Sequence, residues 1–315
     1  MTSAAVTVAI STLDRAISLG RCLDSIWAGA VRPSEVVIVD QGADRATDEV
    51  LADRRARGVP LVHLRQSRRG LGASQNLAFA RARMDVVAVI DDDCVADDQW
   101  LATMEETLRA TPALEGVAGR VLPQAAVGER AYPVASRTSA LPRDFHGFGV
   151  PWEVGSGNNF ALRRAAFDGV GGCDERLGPG SAAQGGVDMD LFYRLLRAGA
   201  RLRYEPRAVV FHERQSASGR RARRPMYGRG MGAAIAFALA ARDPLATRLL
   251  GKWVALRVNL MRQSARRADW PGAREEWVML LATARGLAHG FAVRSVPRRG
   301  PPDTAGAHDV TDAPG

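Results

Sequence analysis

One segment of this 315-residue chain constrains its fold most strongly: the apolar residues 86–90 run directly into Asp91, Asp92 and Asp93. The apolar run is mostly β-branched, which is typical of a buried strand. Three adjacent carboxylates repel one another unless a cation lies between them or water screens them. At the carboxyl end of a strand in an open α/β sheet they would lie where ligands bind, and their oxygens suit Mg²⁺ or Mn²⁺ held with substrate phosphates. A solvated acidic turn is the alternative interpretation.

Strands and helices are predicted to alternate through the first hundred residues. The apolar runs 6–10, 36–39, 61–64 and 86–90 predict four strands, and helical spacing is found at 16–28 and is continued by helices ending near residues 57 and 83. Strands joined through helices imply right-handed crossovers and a mostly parallel sheet. Polar residues follow three of the strands, at Thr12, Asp40 and 91–93, so we expect them to share one edge of the sheet.

The pattern weakens between residues 112 and 155, where a strand at 117–122 precedes a long loop, and it becomes regular again from residue 155. A short strand at 159–162, a helix from Asp188 and two strands at 202–204 and 208–211, the second ending at His212, complete the predicted sheet. Acidic residues in the first turn of that helix and Arg197 in its last turn suit the helix dipole. The dipole predicts a low pKa for Asp188.

Beyond His212 the chain becomes basic and then helical. Residues 214–229 contain six arginines and no acidic residue, residues 231–293 are predicted helical, and residues 297–315 have the composition of a disordered tail. The segment 220–224 has three interpretations: a solvated face, a clamp over a diphosphate, or a contact with anionic lipid. The apolar residues of the C-terminal helices are read as core or as a face for a partner in preference to a membrane face.

Composition excludes several classes of protein. Three separated cysteines without a C-x-x-C pair indicate neither a disulfide framework nor a zinc site, and no signal peptide is recognisable. The longest apolar stretch, 231–241, is too short to span a bilayer. The net charge of +9 comes almost entirely from arginine, which favours phosphate contacts but equally fits a GC-rich genome. We expect a cytoplasmic protein, with a peripheral position at the inner face of the plasma membrane as a further option.

The order of the motifs is more specific than any one of them. The sequence runs through strand-Thr-x-Asp-Arg, strand-Asp-Gln-Gly, Arg-Gly-Leu-Gly-Ala-Ser-Gln-Asn, strand-Asp-Asp-Asp, Gly-Ser-Gly-Asn-Asn-Phe-Ala-Leu-Arg-Arg and Asp-Met-Asp-Leu-Phe-Tyr-Arg-Leu. Over roughly residues 5–215 this resembles the family 2 glycosyltransferases, which have the GT-A fold. The resemblance implies a GT-A domain at 1–215, with a nucleotide-binding half at about 1–110 and an acceptor half at about 111–215. A basic helical region at 216–296 and the tail at 297–315 would follow.

The resemblance also implies roles for the residues at the strand ends. Residues 91–93 match the D-x-D motif, with Asp93 the candidate for direct metal contact and Asp91 or Asp92 near the donor ribose and phosphate. Asp40 matches the acid that contacts the nucleobase. Thr12 and Arg15 match the turn that lines the same pocket.

Two further matches concern the diphosphate and the acceptor. Gln75 and Asn76 stand where the family usually has Arg-Asn, so Arg68 or Arg69 would supply the positive charge. Asp188 matches the catalytic base, although Val187 replaces the glutamate that usually precedes it. His212 matches a further metal ligand of some relatives. Asp190, His63 and His146 are interpreted as structural.

The resemblance implies an inverting, metal-dependent transfer of a sugar from a nucleotide diphosphate to a polysaccharide, glycolipid or metabolite, as in cell-envelope biosynthesis. An inverting transfer needs a base for the acceptor hydroxyl and stabilisation of the departing diphosphate. The expected cofactor is Mg²⁺ or Mn²⁺; the expected partners are the donor, a saccharide or lipid-linked acceptor and a membrane surface, with no nucleic acid. A nucleotidyltransferase and a non-catalytic basic module that binds nucleic acid or membrane are the alternatives.

Overall fold

Strands and helices alternate along the first half of the chain, as the apolar runs predict. The computed structural model describes residues 3–43, 45–125, 132–134, 137–299 and 308–309. The strands of this half are β1 Ser3–Thr12, β2 Arg32–Asp40, β3 Leu61–Arg65, β4 Val86–Ile90 and β5 Cys94–Ala96, and the helices are α1 Ala16–Ala28, α2 Ala46–Ala56, α3 Leu71–Arg81 and α4 Trp100–Ala110. The four predicted strands and the helices between them are confirmed, and β5 adds a short strand directly after the carboxylates.

The second half contributes the rest of the sheet and the C-terminal helices. Its elements are β6 Gly116–Pro123, β7 Arg143–Phe145, α5 Pro151–Val154, β8 Asn159–Arg163, α6 Arg164–Gly169, α7 Val187–Arg197, β9 Leu202–His212, α8 Ala217–Ala240, α9 Ala246–Arg266, α10 Trp270–Ala292 and β10 His308–Asp309. The strands predicted at 202–204 and 208–211 are one continuous strand, β9, whose register against β6 shifts between Gly119 and Arg120.

The sheet places the predicted polar residues at a topological switch point. The strand order is β10-β3-β2-β1-β4-β8-β6-β9-β5, with β7 paired to β9. Strands β3, β2, β1 and β4 are parallel, and β8 joins antiparallel between β4 and β6. The chain winds outward from β1 to β3 and then returns to the other side of β1 as β4, so ligands are expected between the carboxyl ends of β1 and β4. The predicted α/β fold, a mostly parallel sheet flanked by helices with a helical C-terminal region, is confirmed.

The central strands are buried on both faces because their side chains alternate between two cores. Val37 and Val39 of β2 face the core that includes Phe79 of α3. Val36 and Ile38 face the core that contains α1, α2 and α4. Helices covering both faces hold the carboxyl edge of the sheet rigid, which fixes where the polar residues at the strand ends lie.

Helices α8 and α10 form a close pair built on glycine. A side chain at Gly232 would strike the carbonyl of Thr283, and one at Gly286 would strike the carbonyl of Arg229, so the two backbones approach directly. Arg220 Nη2 binds Glu275 Oε2 at 2.7 Å, and Arg257 Nη1 of α9 binds Glu276 Oε2 at 3.1 Å.

Arg224 contacts both Glu275 and Glu276. Arg220 and Arg224 therefore bridge α8 to α10, a role that none of the three interpretations of segment 220–224 included. Within the described ranges, no helix combines the length and the apolar character needed to cross a bilayer.

The predicted disordered tail, 297–315, lies outside the described residues except for 297–299 and β10. The backbone N–H of Glu175 donates to the carbonyl of Arg298 at 3.0 Å. The two residues of β10 pair antiparallel with β3.

Candidate active site

The first-strand turn and the carboxylate triplet meet at the switch point. Thr12, at the end of β1, donates its hydroxyl to Asp92 Oδ2 at 2.7 Å. Arg15 Nη1 donates to Asp92 Oδ1 at 3.1 Å and to Asp93 Oδ2 at 2.8 Å. The structure thus brings together residues that lie about eighty positions apart in sequence.

Negative charge exceeds positive charge in this cluster. Burial, followed by the charges of Asp93 and Asp92, raises the pKa of Asp91 well above its ordinary value. Burial also raises the pKa of Asp92 to about 6, against the opposing effect of Arg15. One guanidinium facing three carboxylates leaves a deficit of positive charge that a cation would relieve.

Asp93 and His212 form the candidate metal centre. Cys94 and His212 are paired residues of β5 and β9, so the strand pairing itself brings His212 beside the end of the triplet. His212 Nδ1 lies 2.7 Å from the carbonyl oxygen of Glu213, and it therefore carries the ring proton and donates it there. In the neutral ring His212 Nε2 carries a lone pair, and it lies 3.4 Å from Asp93 Oδ1.

The Asp93 oxygen that faces His212 needs a partner. In the described part of the chain, Asp93 Oδ1 is buried and accepts no hydrogen bond. Two lone pairs facing each other require a proton or a cation between them. Carboxylate and imidazole donors fit a divalent transition metal such as Mn²⁺. The side chains of Asp93 and His212 therefore fit a divalent metal.

Cys94 completes the wall of this centre, and the sequence offered no signal for it. The donor atoms of Asp93, Cys94 and His212 all lie within 4.8 Å of one another. Burial raises the pKa of the Cys94 thiol well above its ordinary value, and the neighbouring carboxylates add to this effect. The thiol is neutral, so Asp93 and His212 are the stronger ligands. Asn158 Nδ2 lies 3.8 Å from the sulfur.

Asp188 lies in the first turn of α7 and is close enough to the triplet for its charge to raise the pKa of Asp91. The backbone N–H of Gly157 donates to Asp188 Oδ2 at 2.9 Å. The low pKa expected from the helix dipole is wrong: burial raises the pKa of Asp188 and outweighs the hydrogen bonds that lower it. A carboxylate with a raised pKa is a stronger base than an ordinary aspartate.

Asp190 lies two residues after Asp188 on α7, and its contacts are those of a structural residue. Arg194 Nε donates to Asp190 Oδ2 at 2.7 Å, and the same guanidinium donates to the carbonyls of Val170 and Gly172 at 2.8 Å. These contacts agree with the prediction that Asp190 is structural.

Asp40 lies in a second recess at the same edge of the sheet. It is buried, accepts the backbone N–H of Gly42 at 2.8 Å, and lies 3.3 Å from His63 Nε2. A cavity of about 350 Å³ is lined by Asp40, Arg65, Arg69 and their neighbours. The prediction that His63 is structural agrees with its burial beneath Asp40.

Gln75 and Asn76 hold a neighbouring loop in place. Gln75 Oε1 lies 3.1 Å from the sulfur of Cys173, and Asn76 exchanges hydrogen bonds with the backbone of Cys173. Arg68 forms an ion pair with Glu175 at 2.5 Å, whereas Arg69 is exposed at the cavity beside Asp40. Arg69 is therefore better placed than Arg68 to meet a ligand there.

Helix α8 packs close to Asp188, which the sequence did not reveal. A side chain at Gly185 would strike the carbonyl of Met226, so α8 packs directly against the loop that precedes Asp188. Desolvation of the hydroxyl group raises the pKa of Tyr227, although the residue as a whole is 49% exposed; Arg223 opposes this rise and Asp188 reinforces it. Tyr227 thus belongs to the electrostatic surroundings of the carboxylates, although it follows Asp188 by a whole strand and part of a helix.

The same succession of strands and carboxylates occurs in a known family. The sequence profile of that family, described as glycosyl transferase family 2, matches residues 7–171. The chain belongs to this family. The match includes the second half of β1, the carboxylate triplet and β8, and Asp188 and His212 lie beyond its end.

Named relatives match this family member over part of their length. The chain is 29% identical over 184 residues to a glucosyl-dolichyl phosphate glucuronosyltransferase of Haloferax volcanii, a match covering 55% of the chain and 56% of the relative. It is 30% identical over 224 residues to a pre-mycofactocin glycosyltransferase of Mycobacterium tuberculosis, covering 67% of the chain and 43% of the relative. The chain therefore spans about half the length of the curated relatives it matches.

Solved structures show the same fold. The mannosyltransferase PcManGT from Pyrobaculum calidifontis, in complex with GDP-Man and Mn²⁺, matches with a TM-score of 0.63 and 18% identity, over 91% of this chain and 88% of that one. GalNAc-T7 with UDP, GalNAc and Mn²⁺ matches with a TM-score of 0.55 and 16% identity, over 78% of this chain and 52% of that one. At these identities the likeness concerns the fold.

Proposed function

We propose that this family 2 protein is an inverting, metal-dependent glycosyltransferase that uses a nucleotide diphosphate sugar as donor. The observation that carries the proposal is the buried Asp93 Oδ1, which accepts no hydrogen bond among the described residues and faces the lone pair of His212 Nε2 at 3.4 Å. This centre lies at the switch point of the sheet, where nucleotides bind in such folds. Asp188 lies near it on a separate element and can act on an acceptor.

The donor would extend from the cavity beside Asp40 to the carboxylate triplet. Asp40 would accept a hydrogen bond from the nucleobase or ribose, and Asp91 or Asp92 would contact the ribose and phosphate. Thr12 and Arg15 would hold the triplet in position, since both already bind Asp92. Arg69 would approach the diphosphate as a bidentate donor.

Gln75 and Asn76 remain in the proposed donor site through the loop that they support. Their side chains are engaged with Cys173. They would therefore shape the diphosphate pocket from behind, while Arg69 supplies the charge.

Asp93 and His212 would hold the divalent metal. When bound, the ion would act as a Lewis acid that stabilises negative charge on the departing diphosphate. The imidazole nitrogen favours Mn²⁺ over Mg²⁺, because Mg²⁺ prefers a set of oxygen ligands.

Asp188 would act as the base in the transfer step. The acceptor hydroxyl oxygen forms a bond to the anomeric carbon as the bond from that carbon to the diphosphate oxygen breaks. The hydroxyl proton passes to an oxygen of Asp188, and the electron pair of the broken bond leaves with the nucleoside diphosphate. Attack from the face opposite the leaving group inverts the anomeric configuration.

We propose a lipid-linked saccharide or a metabolite as the acceptor. The protein would act in the cytoplasm or at the inner face of the plasma membrane. The named relatives include one glucosyl-dolichyl phosphate glucuronosyltransferase and one pre-mycofactocin glycosyltransferase, which supports both acceptor classes. Polysaccharide assembly in the cell envelope is a third proposed use. The GT-A unit would comprise residues 1–215, with the helical region 216–296 and the tail 297–315 attached to it.

A donor screen tests the proposal. The full chain is incubated with UDP-, GDP- and dTDP-sugars in the presence of Mn²⁺ or Mg²⁺, and nucleoside diphosphate release is measured with and without EDTA. We expect release from donors of one nucleobase, loss of release in EDTA, and an inverted product by NMR. Metal-independent release, or no release and no thermal stabilisation with every donor and metal pair, would contradict the proposal.

A further inference from the structure

One face of α10 carries large apolar side chains into solvent. Trp270 is 68% exposed, Trp277 is 53% exposed and Leu281 is 43% exposed. At 100° per residue, these positions lie within about 40° of one another on the helix surface. They form a single stripe, which we call the α10 outer stripe. Two half-exposed tryptophans on one helix face indicate an interaction surface, since scattered single apolar residues would need no explanation.

The opposite face of α10 is fully used in packing. Met279, Thr283 and Gly286 are buried against α8, and Gly286 meets the backbone of Arg229 directly. The outer stripe is therefore not the core-facing side of a displaced helix. Because the helix is already held from behind, the stripe is presented as part of a rigid surface.

Arginines accompany each apolar anchor of the stripe. Arg274 lies one turn after Trp270, and Arg285 lies one turn after Leu281; both are exposed. Arg266 and Arg267, in the turn before Trp270, are exposed as well. Residues three or four apart on a helix are neighbours, so each apolar group has a cation at its edge.

The acidic residues of α10 do not neutralise these arginines. Glu275 binds Arg220 and Arg224, and Glu276 binds Arg224 and Arg257. Asp269 caps the helix by accepting the backbone N–H of Gly272 at 3.0 Å. The side of α10 that carries the stripe therefore presents apolar and positive groups together.

We propose that the α10 outer stripe docks the protein on an anionic lipid surface. Indole rings settle at the boundary between headgroups and acyl chains, and arginine stems lie along the apolar surface while their guanidinium groups meet lipid phosphates. An isologous dimer through the stripe would bring Arg274 and Arg285 of one copy towards those of the other, so charge favours a negative partner over a second copy. This surface replaces segment 220–224 as the lipid contact, since Arg220 and Arg224 are engaged with glutamates. The inference does not depend on the transfer reaction.

The test is flotation of the full chain with phosphatidylcholine vesicles that contain or lack phosphatidylglycerol. The wild-type chain is expected to float with the anionic vesicles and to dissociate as salt rises. The double variant Trp270→Gln and Trp277→Gln should weaken binding by at least about tenfold, because two rings no longer leave water. Arg274→Gln and Arg285→Gln should each weaken binding about fivefold on anionic vesicles.

Matched controls separate a local surface from general stickiness and charge. Two substitutions serve as controls and should bind as wild type. Leu141→Gln removes an apolar side chain that is 74% exposed and far from α10 in sequence, and Arg109→Gln removes an exposed charge on α4. Circular dichroism establishes that all variants fold. Equal flotation of wild type and the double tryptophan variant would overturn the proposal, as would absence of binding to anionic vesicles. A wild-type dimer in sedimentation analysis that the tryptophan substitutions dissociate would instead assign the stripe to contact between copies.

Discussion

Two clusters of this chain join arginines to carboxylates, and they differ in their balance of charge. Between α8, α9 and α10, Arg220, Arg224 and Arg257 surround Glu275 and Glu276, so every carboxylate has a guanidinium partner. At the end of β4, Arg15 is the one arginine among the described residues that forms ion pairs with the triplet 91–93.

The comparison separates a structural ion-pair network from a binding site. A network in which every carboxylate has a guanidinium partner stabilises the packing of helices. The triplet leaves an acceptor on Asp93 without a partner among the described residues and raises the pKa of Asp91, both of which are costs to the folded protein. Such costs are typical of functional sites, where stability is given up for binding.

The largest effect is expected at Asp188, the proposed base near the triplet 91–93. Asp188→Asn keeps the shape and the hydrogen bond from Gly157 but cannot accept the acceptor proton. Sugar transfer should fall about 10²–10⁴-fold in single-turnover assays, while nucleoside diphosphate binding is retained. Asp190→Asn is a control for charge in the same helical turn, and it should lower stability without a comparable loss in the transfer step. A variant Asp188→Asn that transfers at the wild-type rate would remove Asp188 from this role.

Loss of one charge from the ion-pair network between α8, α9 and α10 should lower the stability of the protein. Glu276 is 5% exposed and bridges Arg224 to Arg257, so Glu276→Gln leaves two guanidinium groups partly uncompensated. We expect a loss of about 3 kcal/mol in the free energy of unfolding, measured by chemical denaturation. The more exposed neighbour provides the comparison: Glu275→Gln should cost about 1 kcal/mol or less. Equal effects of the two substitutions would show that burial does not govern this network.

Much of the fold, but only part of the site, could be predicted from sequence. The strands of the first half follow from β-branched apolar runs, and the residues at their ends follow from the rule that ligands bind at the carboxyl edge of a parallel sheet. Cys94 directly follows Asp93, but only the pairing of β5 with β9 shows that it lies beside His212 in the candidate metal centre. Asn158, just before β8, approaches the Cys94 sulfur through a contact that no local pattern encodes.

The roles of the C-terminal arginines were also beyond the sequence, for a related reason. Arg220 and Arg224 meet glutamates about fifty residues later, because glycine lets α8 and α10 approach closely. The pKa of Asp188 depended on a competition between burial and the helix terminus, and only the packed structure gives its direction.

A smaller effect is expected in the cavity beside Asp40. Asp40→Asn preserves the volume of the side chain but removes the charge that would accept a hydrogen bond from the nucleobase or ribose. Calorimetry without metal should show nucleoside diphosphate affinity about tenfold weaker or more. Asp53→Asn, an exposed position on α2 that does not line the cavity, is the matched change and should leave affinity unchanged. A loss in Asp40→Asn that occurs only with metal present would transfer Asp40 to the metal centre.

The smallest effect is expected at Asp91, where the substitution should raise stability, whereas Glu276→Gln in the ion-pair network should lower it. The pKa of Asp91 is raised in the folded state, so the folded protein holds its proton more tightly than the unfolded chain. The stability that this raised pKa contributes is fully present below the unfolded pKa of about 4, and it is lost as the pH rises through the folded pKa. Asp91→Asn should therefore stabilise the metal-free protein by about 1 kcal/mol at pH 8 and lose this advantage as the pH falls towards 4. Denaturation in EDTA at both pH values measures the difference, and destabilisation at pH 8 would contradict the account of the triplet.

The central claim is that the deficit of charge at Asp93 and His212 is filled by a divalent metal that binds a nucleoside diphosphate. Its most direct test is calorimetric titration of Mn²⁺ with UDP or GDP into the wild-type chain, Asp93→Asn and Asp85→Asn. Asp85 lies at the opposite end of β4 and its side chain is 95% exposed, so it matches the change in charge without touching the site. The account predicts metal-dependent binding to the wild type and Asp85→Asn, and a loss of about a hundredfold or more in Asp93→Asn with its fold intact. Equal affinity of Asp93→Asn and wild type for the metal and nucleotide together would contradict it.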